Sequence, residues 1–433
     1  MVFSKNNKNK SWNKLSLHDS KLPWMLCQSD LVIVGAGPAG CTLALKMAPT
    51  GRSITILDKD LSPRDKICGD ALSGKVNNIL KRLPDNIYSD FLAQVPKIQS
   101  QGIRFVAPNL QMADVPFPGY TGEPNEAPGY VCRRLEFDRF LFQRMHRYPN
   151  IRIMEGKTLT GIIDNRDGII ATTGEDEFRC QVLAGADGVH SIVRRTFHTA
   201  PVEKKHFCIG IRSYFSGVTG LHPEHFIELI FLKELLPGYF WIFPGEGDRA
   251  NVGFGMLQST ISARKINLIT LFRELIASHP LLAPRFSRAV MLGKPEAHSL
   301  PLGSFNMPRS GRRTLLLGDA AFLVDPFSGE GIGNAMASGE IAGEILTGCF
   351  ERNDFSDQAL HAYDARIARR FGTEFRTATI MQRLSKHPAL INLVVNKARK
   401  NTDVNSLLSA MFTSDDIRKK LTRIRFYTGL ILK

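Results

Sequence analysis

The 433-residue sequence has seven cysteines (Cys27, Cys41, Cys68, Cys132, Cys180, Cys208 and Cys349), and no two stand as Cys-x-x-Cys. An odd, unpaired set argues against a disulfide framework and for a reducing compartment. No apolar run approaches the roughly 18 residues of a membrane-spanning helix. Zinc-finger spacing is missing, and the pair His222 and His225 lacks both an HExxH context and a third ligand, so no metal site is expected. No nucleophile elbow, Ser-His-Asp pattern or internal repeat occurs. Residues 1–29 lack the apolar stretch of a secretory signal; being rich in Lys and Asn, they read as a disordered basic extension, with Met25 as an alternative start. These absences point to the cytoplasm and to a bound cofactor as the source of chemistry.

Acidic residues are scarce in the last sixth of the chain. Residues 366–433 hold 15 Lys or Arg against 4 Asp or Glu, which is +11 of the total +15. Such a surface faces nucleic acid, anionic lipid or solvent. Without a basic groove interleaved with aromatics, no nucleic-acid partner is expected. The segment DDIRKKLTRIRFYTGLILK places Ile417, Leu421, Ile424 and Thr428 at helical spacing. That pattern suits an amphipathic helix peripheral on an anionic membrane, and equally a packing helix with a solvated basic face.

What the chain does contain begins at LVIVGAGPAG, Leu31 to Gly40. An apolar β-branched run meets Gly35-x-Gly37-x-x-Gly40, and a helical pattern follows from Cys41 to Met47. A strand turning sharply into a helix in this way cradles a pyrophosphate: Gly35 permits the turn, Gly37 the close approach, and Gly40 the helix-strand packing. Pro38 and Ala39, within the motif, join the cofactor-binding turn, and the N-terminus of the helix that follows supplies amides and a positive dipole end. Asp58, with Lys59 beside it, closes the apolar run SITILD about 20 residues on, where a carboxylate accepts from an adenosine ribose.

Beyond this βαβ unit, SPRDKICGDALSG is a Gly/Pro-punctuated loop before a helix from about Lys75 to Leu83. GIRFVAP reads as a strand leaving for another layer, Cys132 to Arg147 as a helix, and IRIMEG and GIIATT as strands. QVLAGADGVHSIVRR is a second strand-turn-helix with Asp187 and Gly188 at its bend. From Phe207 to Met256 an aromatic-rich β run predicts a separate antiparallel sheet. TLLLGDAAFLVDPFSGEGIGNA returns to strand, loop and helix, and the chain beyond Phe355 reads as helical. Alternation in PGYFWIFP puts Tyr239 and Trp241 on one strand face, opposite Phe240 and Ile242.

Taken together, GAGPAG with Asp58, AGADGVHSIVR and LLGDAAFLVDPFSGEGIGNA resemble the FAD-dependent oxidoreductases of the p-hydroxybenzoate hydroxylase-like fold, over residues 30 to about 350. Within them, PRDKICGDAL and the pattern Tyr239-x-Trp241-x-Phe243-Pro244 followed by Gly253-x-Gly255 resemble the geranylgeranyl reductase family. Asp70 departs from the glycine that many relatives carry after Cys-Gly. The resemblance implies a mixed α/β fold. Residues 30–90, 130–200 and 300–350 would form a discontinuous Rossmann-like FAD-binding domain. Residues 91–129 and 201–299 would form an antiparallel-sheet substrate domain, and 351–433 a helical basic region.

It further implies that Asp319, after Gly318, binds the ribityl or pyrophosphate part of FAD, with a turn cap as its plainer role. Gly331, Ile332 and Gly333 would offer helix-N-terminal amides to the reduced flavin. Arg134, or its neighbour Arg133, would contact the cofactor, unless it is part of a solvated helix face. Asp187 would shape the cofactor's surroundings or cap the following helix. Cys68 and Gly69 would lie beside the flavin, with Tyr239 and Trp241 along the substrate path. Cys68, Tyr239 or an ordered water would deliver a proton. The implied activity is reduction of carbon–carbon double bonds in an isoprenoid or a polyketide-like molecule, with NAD(P)H or ferredoxin as reductant. The same fold also supports a hydroxylase, an epoxidase or a halogenase, the last with Lys75 as candidate lysine, or a non-catalytic lipid-binding flavoprotein.

Overall fold

The computed structural model describes residues 25–117, 127–165, 167–174, 176–197, 201–401, 404–405 and 408–409. The candidate amphipathic segment from Asp415 to Lys433 lies outside them.

The apolar runs of the first βαβ unit form the centre of an eight-stranded sheet. Its order is Ser310–Gly311, Thr314–Leu316, Asp176–Gly185, Met25–Val34, Ile54–Leu57 and Ile151–Met154, with the pair Gly161–Asn165 and Gly168–Thr172 attached through Asp176–Gly185. From Thr314–Leu316 to Ile151–Met154 all neighbours run parallel. Strands such as Ile54–Leu57 are buried on both faces, which is why they read as unbroken apolar runs rather than as alternation. The first strand begins at Met25, and Met25 to Ser29 pair with Asp176 to Cys180. Residues 25–29 therefore belong to the sheet and not to a disordered extension; their polar residues misled because the strand end pairs through its backbone.

The Pro38–Met47 helix and the long Ile332–Arg352 helix pack together at glycines. A Cβ at Gly339 would stand 2.4 Å from the Ala39 carbonyl oxygen, and one at Gly343 would stand 2.6 Å from Lys46 Cγ. The sequence of the long helix thus yields to a close backbone approach that any side chain would block.

A seven-stranded sheet forms the second layer, in the order Val290–Pro301, Phe207–Ser216, Arg249–Leu257, Tyr239–Pro244, Ile227–Ile230, Gly102–Val106 and Met112–Pro116. It is antiparallel except where Ile227–Ile230 runs parallel to Gly102–Val106. Phe240 and Ile242 pack on its outer side with Phe254 and Phe272, the last from the Leu268–Ser278 helix. Tyr239, Trp241 and Phe243 point to the inner side, as alternation predicts. Among the described residues of 91–129, only the hairpin from Gly102 to Pro116 joins this sheet. Gly129–Val131 pairs with Ala71–Leu72 on one side and Ile98–Ser100 on the other in a small third sheet. The helices Asp357–Leu384 and Pro388–Ala398 follow, and Val404 and Leu408 beyond them are buried in the same core cluster as Ile391 and Val395. Among the described residues no helix is long and apolar enough to cross a membrane.

Candidate functional site

The three motif glycines differ in what surrounds them. Gly35 has φ +102°, and a Cβ there would lie 2.4 Å from the Ala186 carbonyl oxygen; at Gly40 it would lie 2.0 Å from that of Gly35. At Gly37 the nearest atom is an Arg64 guanidinium nitrogen at 3.5 Å. The outer glycines thus make the turn, and the middle one leaves space beside the backbone. No side chain caps the Pro38–Met47 helix, which starts with Pro at its first turn. Open space at Gly37 and an uncapped helix N-terminus fit a dinucleotide diphosphate.

Asp58 is buried. Its Oδ2 accepts from Ala36 N at 2.6 Å and its Oδ1 from Asp60 N at 3.0 Å, with Arg64 at 3.4 Å. Each oxygen keeps acceptor capacity for a hydroxyl. Lys59 is exposed.

At two of the remaining bends a carboxylate of the chain holds a helix-start amide. Asp187 Oδ2 accepts from Ile192 N at 2.7 Å, capping the short helix Ile192–Phe197, while its Oδ1 is buried without a hydrogen-bond partner. At the long helix, Gly333 N donates to Glu330 Oε1 at 2.7 Å. Gly331 and Ile332 line the central cavity, whereas a Cβ at Gly333 would meet Glu330, Lys75 and Ser73. The Gly333 amide is thus already engaged by the carboxylate of Glu330, the residue before the N-cap Gly331. Gly318, with φ +55°, sits beneath the loop, its amide donating to Ser338 Oγ at 3.0 Å.

A cavity of about 190 Å³ lies between the two sheets. Of the residues expected at the site, Pro38, Cys68, Gly69, Arg134, Tyr239, Trp241, Asp319, Gly331 and Ile332 line it. Asp319 forms an ion pair of 2.7 Å with Lys66. Burial raises its proton affinity, but Lys66, His298 and Arg134 outweigh that and hold the carboxyl below its usual range. Arg134 is buried and bidentate to Asp138, at 2.8 and 2.7 Å. Burial works against its charge, and Asp138 more than compensates. Arg133 is exposed, over the Tyr214 ring. Arg134 is thus the arginine of the cavity wall, not part of a solvated face.

The spacing of the aromatic motif follows from strand register. Tyr239 lies opposite Gly255 and Trp241 opposite Gly253 in the antiparallel pair. A Cβ at Gly253 would stand 2.4 Å from the Trp241 ring, and one at Gly69 would stand 2.8 Å from the Phe243 ring. The glycines are the floor on which the rings lie. Trp241 Nε1 donates to Asn251 Oδ1 at 2.9 Å, and Asn251 Nδ2 donates to Asp70 Oδ2 and to the Cys68 carbonyl, both at 2.8 Å. Tyr214 donates to Asp70 Oδ2 at 2.7 Å, and Arg134 N to Asp70 Oδ1 at 3.2 Å. Burial pushes the Asp70 carboxyl up, against the hydrogen bonds from Tyr214 and Asn251.

The Tyr239 hydroxyl donates to the Ser328 carbonyl, and burial holds its proton firmly. Burial also raises the Cys68 thiol, aided by Asp70 and opposed by Arg134. Cys208 shares the cavity, its thiol pushed up to about 12 by burial. Lys75 is buried outside the cavity, bonded to Glu374 at 2.8 Å and Asn334 at 2.9 Å. That engagement removes it as a catalytic lysine. His222 stacks on Phe226 and approaches Asp114; among the described residues no cluster could hold a metal ion.

Sequence reasoning missed Asn251, Tyr214, Lys66, His298 and Glu330. Asn251 was within reach, because it stands two residues before Gly253 and therefore shares its strand face. Lys66 meets Asp319 across 253 positions, a separation for which local pattern carries no information.

A phosphate cradle on a parallel sheet, joined to an apolar cavity under a second sheet, defines a two-layer FAD-dependent oxidoreductase. The family model described as FAD binding domain matches residues 28–211. Digeranylgeranylglycerophospholipid reductase 1 of Methanococcoides burtonii is 30% identical over 366 residues, covering 82% of this chain and 83% of that one. A menaquinone reductase of Mycobacterium tuberculosis is 28% identical over 402 residues, 90% and 92% of the two chains. The structure of a geranylgeranyl bacteriochlorophyll reductase-like protein from Thermoplasma acidophilum superposes with TM-score 0.77 at 22% identity, covering 92% and 99%. A flavin-dependent brominase shares the fold, with TM-score 0.72 at 20% identity over 93% and 99%. The chain belongs to the geranylgeranyl reductase family of FAD-dependent oxidoreductases.

Proposed function

We propose that this protein saturates carbon–carbon double bonds of an isoprenoid chain. The observation that carries the proposal is the inner wall of Tyr239, Trp241 and Phe243, which packs against the Cys68–Gly69 loop and with it lines a mostly apolar cavity. The relatives named as reductases of geranylgeranyl lipids and of menaquinone support it. Reduced FAD, when bound, supplies the hydride.

In this reading residues 30–90, 130–200 and 300–350 hold the cofactor. Gly35, Gly37, Pro38, Ala39 and Gly40 receive its diphosphate, Asp58 its ribose, and Gly318 and Asp319 its ribityl end, with Lys66 fixing the Asp319 carboxylate. Gly331 and Ile332 meet the ring system. Residues 102–116 and 201–299 form the substrate layer. An unactivated alkene has no carbonyl to take up the negative charge of hydride addition, so positive charge develops as the proton is added, and the wall's π faces and close positioning stabilise it. Trp241 is oriented for this by Asn251. Because Tyr239 is engaged with Ser328, Cys68 is the protein's proton donor: its thiol keeps its proton, and Arg134 stands ready to stabilise the thiolate left behind. The reductant is NAD(P)H or a ferredoxin.

The test is anaerobic turnover of dithionite-reduced holoenzyme with geranylgeranyl lipids and prenylated quinones, read by mass spectrometry. Addition of one H₂ per double bond is expected. Oxygenated or halogenated product formed only in air would sink the reading.

A further inference from the structure

Ten large apolar side chains stand exposed among the described residues, and five of them, Leu110, Met112, Ile380, Leu384 and Leu393, belong to three adjoining segments. Ile380 and Leu384 are one turn apart near the end of the Asp357–Leu384 helix, so they share a face. Leu393 follows on the Pro388–Ala398 helix. That helix packs against the Met112–Pro116 strand, and Asn109 N donates to Asn392 Oδ1 at 3.1 Å.

The charge of the two helical segments has one sign, and Asp114, on the strand face of Met112, is paired with Arg104 at 2.7 Å. No Asp or Glu occurs between Glu374 and Asp403, and the exposed residues among the apolar ones include Arg376, Arg383 and Lys386. The corner also adjoins the cavity. Gln382, between Ile380 and Leu384, lines the cavity and donates to the Pro326 carbonyl, while Ser385 Oγ donates to that of Pro237 at 3.3 Å.

We propose that this corner docks on an anionic lipid bilayer, with the apolar side chains entering the headgroup boundary and the cations meeting lipid phosphates. Interleaved cations and large apolar groups match such a surface in both charge and hydrophobicity. The Gln382 side of the cavity then opens toward the membrane and admits a membrane-dissolved substrate; this access route rests on the isoprenoid reading, and the docking does not.

Vesicle flotation of the full FAD-loaded chain tests the docking, with phosphatidylcholine alone and phosphatidylcholine mixed with phosphatidylglycerol. The wild type and an Ile163→Glu control, changed at an exposed residue of the first sheet, are expected to float with the anionic vesicles only. Ile380→Glu/Leu384→Glu is expected to lose vesicle affinity by at least about tenfold, and Leu393→Glu alone by less. FAD content and turnover of a detergent-dispersed isoprenoid should stay unchanged in all variants. Undiminished flotation of the double variant overturns the docking face, as does a wild type that ignores anionic vesicles or is captured only by an acidic protein. Flotation without isoprenoid reduction upholds the docking face and overturns the functional reading.

Discussion

Asn251 and Asp70, 181 residues apart in sequence, are joined by a 2.8 Å hydrogen bond from the Asn251 side-chain nitrogen to Asp70 Oδ2. Because Asn251 also accepts from Trp241 Nε1, one amide couples the Cys-Gly loop to the aromatic wall. Both polar ends of Asn251 are used, which fixes its orientation.

Asn251→Leu should leave a buried indole N–H and a buried carboxyl short of partners. The expected loss is about 2–4 kcal/mol of stability, measured by urea unfolding, together with lower turnover and retained FAD. Loss of FAD at unchanged stability would contradict this account.

Asp70 has φ +69°, a conformation glycine adopts freely and Asp or Asn tolerate. The glycine that the family resemblance would place here and the aspartate of this chain therefore suit the same backbone. Asp70→Asn should be the mildest change, Asp70→Gly intermediate because the acceptor for Tyr214 is lost, and Asp70→Ala the most severe. The Ala variant adds strain of about 1–2 kcal/mol to that loss. Unfolding midpoints in this order are expected; Ala equal to Gly would refute the backbone argument.

The motif glycines should separate folding from cofactor binding. Gly35→Ala and Gly40→Ala should destabilise even the FAD-free protein, since their methyl groups would collide with backbone oxygens at 2.4 and 2.0 Å. Gly37→Ala should melt like the wild type when FAD-free and bind FAD more weakly. Differential scanning of FAD-free protein and flavin fluorescence titration read the two effects independently.

His298 is held to about 4 by burial, with Lys66 adding to the effect. Between the ordinary value of 6.5 and about 4, the unfolded chain binds a proton that the folded chain refuses, so stability must fall as pH falls through this window. The loss reaches at most about 3 kcal/mol. Asp319, held below its ordinary value, adds loss in the same direction at lower pH. His298→Gln should flatten the decline between pH 6.5 and about 4 in denaturant titrations; an unchanged slope would assign it elsewhere.

The parallel sheet was legible because Leu31–Val34 and Ile54–Leu57 are continuous apolar runs flanked by glycine turns. The inner wall was legible because Tyr239, Trp241 and Phe243 alternate with outward residues. The bond from Gly333 N to Glu330 was not legible, because helix-start glycines look alike until such a side chain is placed. The strand start at Met25 was missed because Gln28 and Ser29 look like coil while their backbones pair with Arg179 and Cys180. The Asp319–Lys66 and Asn251–Asp70 contacts depend on how two sheets face each other, which no local window encodes.

The crossing of the Pro38–Met47 and Ile332–Arg352 helices at Gly339 and Gly343 bears on biosynthesis. The first cofactor-contacting helix leaves the ribosome roughly 300 residues before the helix that covers it. Until Arg352 has been translated and cleared the exit tunnel, the nascent chain has half of its FAD pocket and an uncovered apolar helix face. The complete helix pair, and with it the closed cradle, therefore forms only once nearly all of the chain up to Arg352 is present.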